Sequence, residues 1–406
     1  MSPWFTEKHK ELRQRVRAFA EAEIAPVAGA YDQDSRFPWE NVRRMADMGL
    51  FGVNVPEALG GLGLDYVSYI LVIEELARVD ASHAITISAH STLGTSPIMA
   101  FGTDEQRERY VPLLAAGKVL GGFGLTEPAA GSDAGATRTM AVRENGGYRL
   151  NGSKIFITHA GVGEIFVVTA VTDREQGTKG ITSFIVTKET TDREAAEKVG
   201  VGHAPELAPF TPGVRAAKKE NKMGWRSSDT RELILEDALV PEENRLGEEG
   251  RGFINFMKTL DAGRIGIGAL SLGLAQGAYE QVIQFARVRE RLGRPLHEHQ
   301  GVQFALADMA TEIEAARHLV YHAASLKEAG RPFAREAAMA KLYASELGMR
   351  TTTRAVQLLG AHGYTAEYPV ERMMRDAKIC EIGEGTSEVQ RLVIARNIFR
   401  EAAAGS

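Results

Sequence analysis

The chain has 406 residues, 44% of them hydrophobic and 25% charged, which is the profile of a folded globular protein of about two to four domains and argues against a disordered or fibrous chain. Lys plus Arg number 48 against 53 Asp plus Glu, a formal charge of −5, so no basic excess exists to hold a nucleic-acid backbone. The single cysteine, Cys380, rules out an intramolecular disulfide and any thiolate-clustered metal site within one chain. The polar, mixed-charge start lacks the apolar core of a signal peptide, and no stretch approaches the roughly 20 apolar residues needed to span a bilayer. These features predict a cytoplasmic protein.

Residues 1–120 read as helical. Leu12, Val16, Phe19 and Ala20 recur at helical spacing. Further helices are predicted over Tyr66 to Ala77 and Asp104 to Ala116, the latter with Asp104 as its cap. Pro38, Pro56 and the glycine cluster at 60–63 mark breaks between them.

Residues 121–240 change to short β-branched runs. Asn151-Gly152, between Tyr148–Leu150 and Lys154–Thr158, predicts a hairpin, because Asn-Gly readily takes the positive φ angles of a tight turn. Strands are expected at Phe166 to Val171 and Thr182 to Val186. Residues 189–209, charged and then rich in Gly, Pro and His, read as a surface excursion from this β region.

Residues 241–406 return to long helices. Val302, Leu306, Met309, Ile313, Ala316, Val320 and Ala323 alternate steps of four and three, the seam of a helix in a bundle. The order is thus helices, strands, helices: an α+β multidomain chain without the strand–helix alternation of a doubly wound sheet.

Several chemical motifs are missing. Gly266-Ile267-Gly268 has no preceding strand and carries Ser271 where a third glycine belongs, so it reads as helix-packing glycine. No phosphate-binding loop, zinc-protease motif or nucleophile elbow is present. His297 and His299 flank Glu298 without any further ligand cluster, and no metal is expected.

Three segments carry more. Phe123 to Asp133 is an apolar stub running into a loop of small residues, either a cradle for a flat cofactor or phosphate, or a plain strand-to-strand turn. Glu384, between Gly383 and Gly385, is open to close approach by a ligand and suited to act as a base; the bland reading is a solvated Glu with Thr386 or Ser387 capping the next helix. Asp261 and Arg264 form an i, i+3 charge pair, which on a helix is usually only a surface ion pair.

Together these segments resemble the acyl-CoA dehydrogenase family, above all its short-chain, butyryl-CoA type. The carrying stretches are 125–136 (LTEPAAGSDAGA), 150–161 (LNGSKIFITHAG), 221–233 (NKMGWRSSDTREL), 260–269 (LDAGRIGIGA), 335–346 (REAAMAKLYASE) and 384–398 (EGTSEVQRLVIARNI). The resemblance implies an N-terminal α-helical domain (1–120), a central β-barrel or sandwich domain (121–240) and a C-terminal four-helix bundle (241–406). It also implies one FAD per subunit, a homotetramer, and electron transfer to an electron-transferring flavoprotein.

Carried over by position, Phe123, Leu125, Thr126, Gly131 and Ser132 line the flavin, with Phe156, Ile157 and Thr158 on its other face. Arg289, Gln300, Gln357, Leu358, Gly360 and Ala361 match positions that reach the FAD of a neighbouring subunit, and Thr386, Ser387 and Glu388 match cofactor contacts beside the base. Ser132, Asp261, Arg264, Glu384 and Gly385 match substrate contacts.

Glu384 matches the catalytic base that takes the α-proton of an acyl-CoA thioester. Isovaleryl- and long-chain-type members carry their base just before the arginine of the 261–264 motif, where this chain has Gly263. Phe156 stands where Trp is common and Ala361 where a second glycine is usual. An acyl-CoA oxidase-like enzyme using dioxygen and a non-catalytic flavoprotein scaffold are the alternatives on the same fold.

Overall fold

The structure, a computed structural model, describes residues 4–144 and 146–404. The N-terminal part contains α1 (Glu7–Phe19), α2 (Ala25–Asp34), α3 (Trp39–Asp47), α4 (Tyr66–Ala77), α5 (Ala81–Ser88), α6 (Ser96–Phe101) and α7 (Asp104–Ala115). Helix α4 spans the predicted residues and is buried on every side. Its two acidic residues are therefore matched by partners on other helices: Glu74 by Arg317 (3.0 Å) and Tyr321 (2.6 Å), Glu75 by Arg13 (2.5 Å) and Arg17 (2.9 Å). Helix α7 is capped by Thr103, whose hydroxyl accepts from the Gln106 N–H while the Gln106 side chain accepts from the Thr103 N–H. Asp104 is thus the first helical residue and not the cap, because the capping box places Gln three residues after Thr103.

Eight strands form one sheet: β1 (Gly121–Gly124), β2 (Met140–Glu144), β3 (Gly147–Thr158), β4 (Ile165–Val171), β5 (Ile181–Thr187), β6 (Val214–Lys219), β7 (Thr230–Pro241) and β8 (Arg245–Leu246). The order is β6-β7-β3-β2-β4-β5-β8, mostly antiparallel, with β1 added parallel to β4. Strands β4 and β5 are buried on both faces. Ile165, Val167 and Ile185 pack with Val111, Leu114, Phe123 and Phe256, while Phe166, Val168, Phe184 and Val186 share a second core with Leu150, Leu233 and Leu235.

The hairpin expected at Asn151-Gly152 is not there. These residues lie inside β3, at a register shift against β7, and the chain reverses where Glu144 pairs with Gly147, next to Gly146 at φ +81°. Gly152 serves a bulge instead, packed so closely on Thr139 that a Cβ would overlap it. Register is decided by partners across the sheet, which a local dipeptide does not encode.

Residues 189–209 are more than a solvated excursion. Helix α8 (Arg193–Val199) packs on α3, and Ala196, Val201, Ala204 and Leu207 are buried. Gly202, at φ +78°, lies against the Trp39 ring with no room for a side chain. The segment is tied to β4 through Glu164, which is fully buried and accepts from His203 Nδ1 (2.7 Å) and the Ala204 N–H (2.9 Å). His203→Ala removes one partner of a buried carboxylate and is expected to lower stability by about 1–3 kcal/mol. Chemical denaturation checks it, and an unchanged midpoint would show that the segment does not brace β4.

The C-terminal part holds α9 (Gly252–Val288), a short hairpin of β9 (Glu290–Arg291) and β10 (Arg294–Pro295), α10 (Gln300–Glu328), α11 (Ala334–Leu359), α12 (Ala361–Tyr364), α13 (Val370–Cys380) and α14 (Ser387–Ala404). The predicted seam of α10 buries Met309, Ile313, Ala316, Val320 and Ala323. Gly266 and Gly268 do pack helices: a Cβ on the first would crowd Ser88 and on the second Val320. Residues of α1–α5 and of α9–α11 and α13 share one hydrophobic core, so the two ends of the chain are folded together.

Candidate active site

The turn between α13 and α14 carries Glu384 at φ +53° followed by Gly385 at φ +93°. A non-glycine residue in the left-handed region is strained, and such strain persists only where the surroundings hold it. Two side chains do so here. Gln390 donates to the carbonyls of Glu384 (3.2 Å) and Gly385 (2.8 Å), and Lys341 of α11 donates to the Gly385 carbonyl (2.7 Å). Thr386 caps α14 through the Val389 N–H (3.3 Å), Ser387 is buried with an unpartnered hydroxyl, and Glu388 is exposed in the first helical turn.

Glu384 as a residue is half-buried, but both carboxyl oxygens are shielded from solvent and no protein group hydrogen-bonds to them. The carboxyl group lies over Gly263 of α9, where any Cβ would overlap Oε2. The gap left by that glycine is the space the carboxylate occupies. Burial pushes the Glu384 carboxyl up to about 7, against the opposing pull of Lys341 and Arg264. A buried, unpartnered carboxyl that titrates near neutrality has the properties of a base held ready, and a structural acid would be paired.

Asp261 and Arg264 form the expected i, i+3 pair at 2.5 Å, but it is not a surface pair: the Arg264 side chain is only 2% exposed. Its Nε is buried without a partner. Burial raises the Asp261 carboxyl and works against the charge on Arg264. Asp261 also edges an open groove of about 670 Å³ lined by Leu326, Arg331, Phe333, Asn397 and Arg400.

The second part of the site is built on β1 and β3. Phe123 stacks on Phe256 (5.5 Å between ring centres) and the chain then enters Leu125 and Thr126, both half-buried. The Ile155 N–H donates to the Thr126 carbonyl (2.8 Å), joining this loop to β3. At the second bulge of β3, Phe156 sits at φ +59° and is 63% exposed, Ile157 points into the sheet core, and Thr158 is half-buried. Gly131 and Ser132 are exposed, and a Cβ on Gly131 would meet open space. An outward aromatic ring beside a loop of small residues fits a flat, partly apolar group. The side chain of Ile157 takes no part in that wall.

Sequence reasoning missed what lies beneath this wall. Lys154 is fully buried and donates to Glu127 (2.7 Å), Thr137 (3.1 Å) and the Leu125 carbonyl (3.3 Å). Glu127 also accepts from Thr137, from the Arg138 N–H (2.6 Å) and from the N–H and hydroxyl of Thr139 (3.0 and 2.6 Å). The available signal was Lys154 on the inward parity of a β run.

Arg289, Gln300, Gln357, Leu358, Gly360 and Ala361 gather at one end of the helical bundle. Phe285, four residues before Arg289, packs its ring on His362 (5.7 Å) and Tyr368 (5.5 Å), which joins the two segments. Around them Val288, Leu292 and Tyr364 are exposed, Leu292 by 95%. Gln357 lines a second open groove of about 680 Å³ with Arg350, Arg354 and Glu381. His297 and His299 hydrogen-bond the carbonyls of Ala286 (3.3 Å) and Arg291 (3.0 Å).

Helices, sheet and helices arranged in this order around a buried free carboxyl define a class of enzyme, and known proteins give its family. The chain matches "Acyl-CoA dehydrogenase, N-terminal domain" over residues 6–118, the corresponding middle domain over 122–238 and the C-terminal domain over 250–399. It is 48% identical to a short-chain specific acyl-CoA dehydrogenase of Clostridium acetobutylicum, covering 97% of this chain and 99% of that one.

Among solved structures it is similar to butyryl-CoA dehydrogenase of Megasphaera elsdenii (TM-score 0.91, 43% identity, 98% and 100% coverage). A chain described under "Electron transferring flavoprotein of Acidaminococcus fermentans: towards a mechanism of flavin-based electron bifurcation" gives 0.92, 45%, and 98% and 100% coverage. An acyl-CoA dehydrogenase of Bacillus anthracis complexed with FAD gives 0.89 and 34%, covering 100% of this chain and 70% of that one. The chain belongs to the acyl-CoA dehydrogenase family of oxidoreductases.

Proposed function

We propose that this acyl-CoA dehydrogenase desaturates short-chain acyl-CoA thioesters to trans-2-enoyl-CoA, with Glu384 as the α-proton base. The observation that carries this is the Glu384 carboxyl group, buried, unpartnered and seated over Gly263. Glu384 receives the α-proton on a carboxylate oxygen, which becomes neutral in a site that disfavours its charge. The Glu384 N–H is the donor for the thioester carbonyl, where negative charge grows as the proton leaves. Gly385, Asp261, Arg264 and Ser132 contact the substrate.

A bound FAD would supply the acceptor for the β-hydrogen as hydride and the link to an electron-transferring flavoprotein. Phe123, Leu125, Thr126, Gly131, Ser132, Phe156, Thr158 and the backbone of Ile157 would hold it from the β side, with Thr386, Ser387 and Glu388 beside the base. In a homotetramer, Arg289, Gln300, Gln357, Leu358, Gly360 and Ala361 of a neighbouring copy would complete its site; the exposure of Gln300, Gln357, Gly360 and Ala361 at one end of the bundle supports this. A cytoplasmic setting belongs to the same proposal. Among the described residues no helix is long and apolar enough to cross a membrane.

The test is anaerobic titration of the yellow enzyme with butyryl-CoA and octanoyl-CoA, following loss of the flavin colour. Butyryl-CoA is expected to bleach it more effectively, each methylene being worth about 1–3 kcal/mol in such a pocket. The bleaching rate is expected to rise with pH through about 7, where Glu384 loses its proton and becomes competent. No bleaching by either thioester sinks the reaction, and a rate flat across neutral pH sinks the base.

A further inference from the structure

Lys341 is fully buried in α11, its neighbours along the helix including Ala337, Ala338, Ala340 and Ala344, all without exposed surface. An ammonium group in such a place is expensive unless its charge is used. Among the described residues no carboxylate lies within ion-pair distance of it, and its hydrogen bond goes to a backbone carbonyl, that of Gly385 (2.7 Å).

The charged and titratable groups around the site are few. Glu384 and Glu381 face Lys341 from the base turn, Cys380 from the end of α13 and Arg264 from α9. Tyr66 and Tyr69 face Glu384 from α4, and Asp261 faces Arg264. Lys341 therefore stands behind the turn, one residue from the base, with its charge unspent by any ion pair.

Gln390 makes the comparison. Its neutral amide donates to the carbonyls of Glu384 and Gly385, the second of which it shares with Lys341. If the turn needed only donors, a second neutral amide would serve in place of a lysine.

We propose that Lys341 is a positioning residue for the base: its ammonium pins the Gly385 carbonyl so that the turn presents Glu384 over Gly263, and its charge opposes the burial that favours the protonated carboxyl. The proposal rests on Glu384 being the base. It assigns two separable tasks, a donor shared with Gln390 and a charge belonging to Lys341 and Arg264.

The experiment compares Lys341→Met, Lys341→Gln and Gln390→Leu in the FAD-loaded enzyme, measuring the pH profile of anaerobic bleaching by butyryl-CoA. Both Lys341 variants are expected to move the midpoint to higher pH by about one unit or more, since a nearby opposite charge is worth that much to a carboxylate. Lys341→Gln is expected to recover part of the maximal rate that Lys341→Met loses. Gln390→Leu is expected to lower the maximal rate without moving the midpoint. The same midpoint is read without turnover from the infrared band of the protonated carboxyl that Glu384→Gln removes.

A midpoint unchanged in Lys341→Gln overturns the proposal, as does one that moves equally in Gln390→Leu. Should Lys341→Met not fold, Lys341→Gln carries the charge test alone. Bleaching that survives Glu384→Gln overturns the base itself, a result distinct from either of these.

Discussion

Glu384→Gln is expected to slow anaerobic flavin reduction by butyryl-CoA by about 10²- to 10⁴-fold, the usual contribution of a positioned base. The amide keeps the shape of the side chain, so the turn at φ +53°, the bonds from Gln390 and Lys341 and the seat over Gly263 have no reason to change. Only the capacity to take a proton is lost. The same variant has a stability signature. The Glu384 carboxyl is raised by burial to about 7, so the folded protein holds that proton more tightly than the unfolded chain does. Wild-type stability from this group is full below the unfolded carboxylate range and is lost as pH rises through about 7. The glutamine variant lacks that loss, and is expected to be more stable than wild type at pH 8 by on the order of 3 kcal/mol and equal to it near pH 4. Stopped-flow reduction and denaturation at the two pH values check both halves. A fast variant, or one no more stable at pH 8, contradicts the reading of the site.

Lys154→Met is expected to lower stability by about 3–5 kcal/mol and to release FAD during desalting. Lys154 and Glu127 are buried to within a few per cent, and removing one charge strands the other. Burial works to raise the Glu127 carboxyl; Lys154, with Thr137 and Thr139, outweighs it and brings it down to about 2. Without Lys154 that balance reverses. The Leu125 carbonyl also loses a donor, and Lys154 lies two residues before Phe156, so both walls of the proposed flavin site loosen together. The double variant Glu127→Gln, Lys154→Met is expected to regain part of the stability, because no unpaired charge remains. Denaturation and flavin content after desalting are the readouts. A single variant as stable as wild type would show the pair to be ornamental.

Local sequence patterns are legible where local forces decide. Tyr66 to Ala77 is the helix expected, since an apolar run after Asp65 specifies a buried, capped helix. Alternation failed in β3. Counting in twos from Leu150 puts Phe156 inside and Ile157 outside, and the bulge at Phe156 reverses them. That single flip turns an aromatic ring outward to form the candidate flavin wall. The bulge answers to β7 and to the loop at Thr126, neither of which is a neighbour in sequence.

Sequence alone determined the order of helices, strands and helices, the family, Glu384 between two glycines and the lack of a side chain at Gly263. These are properties of residue type and spacing, which folding does not alter. Tertiary structure alone decided that the space over Gly263 belongs to the Glu384 carboxyl, that Arg264, paired with a half-buried Asp261, lies inside the protein rather than on the surface, and that Lys341 and Lys154 are buried lysines. Burial and pairing arise where distant segments meet, and the free energy of a charge depends on what surrounds it more than on its place in the chain.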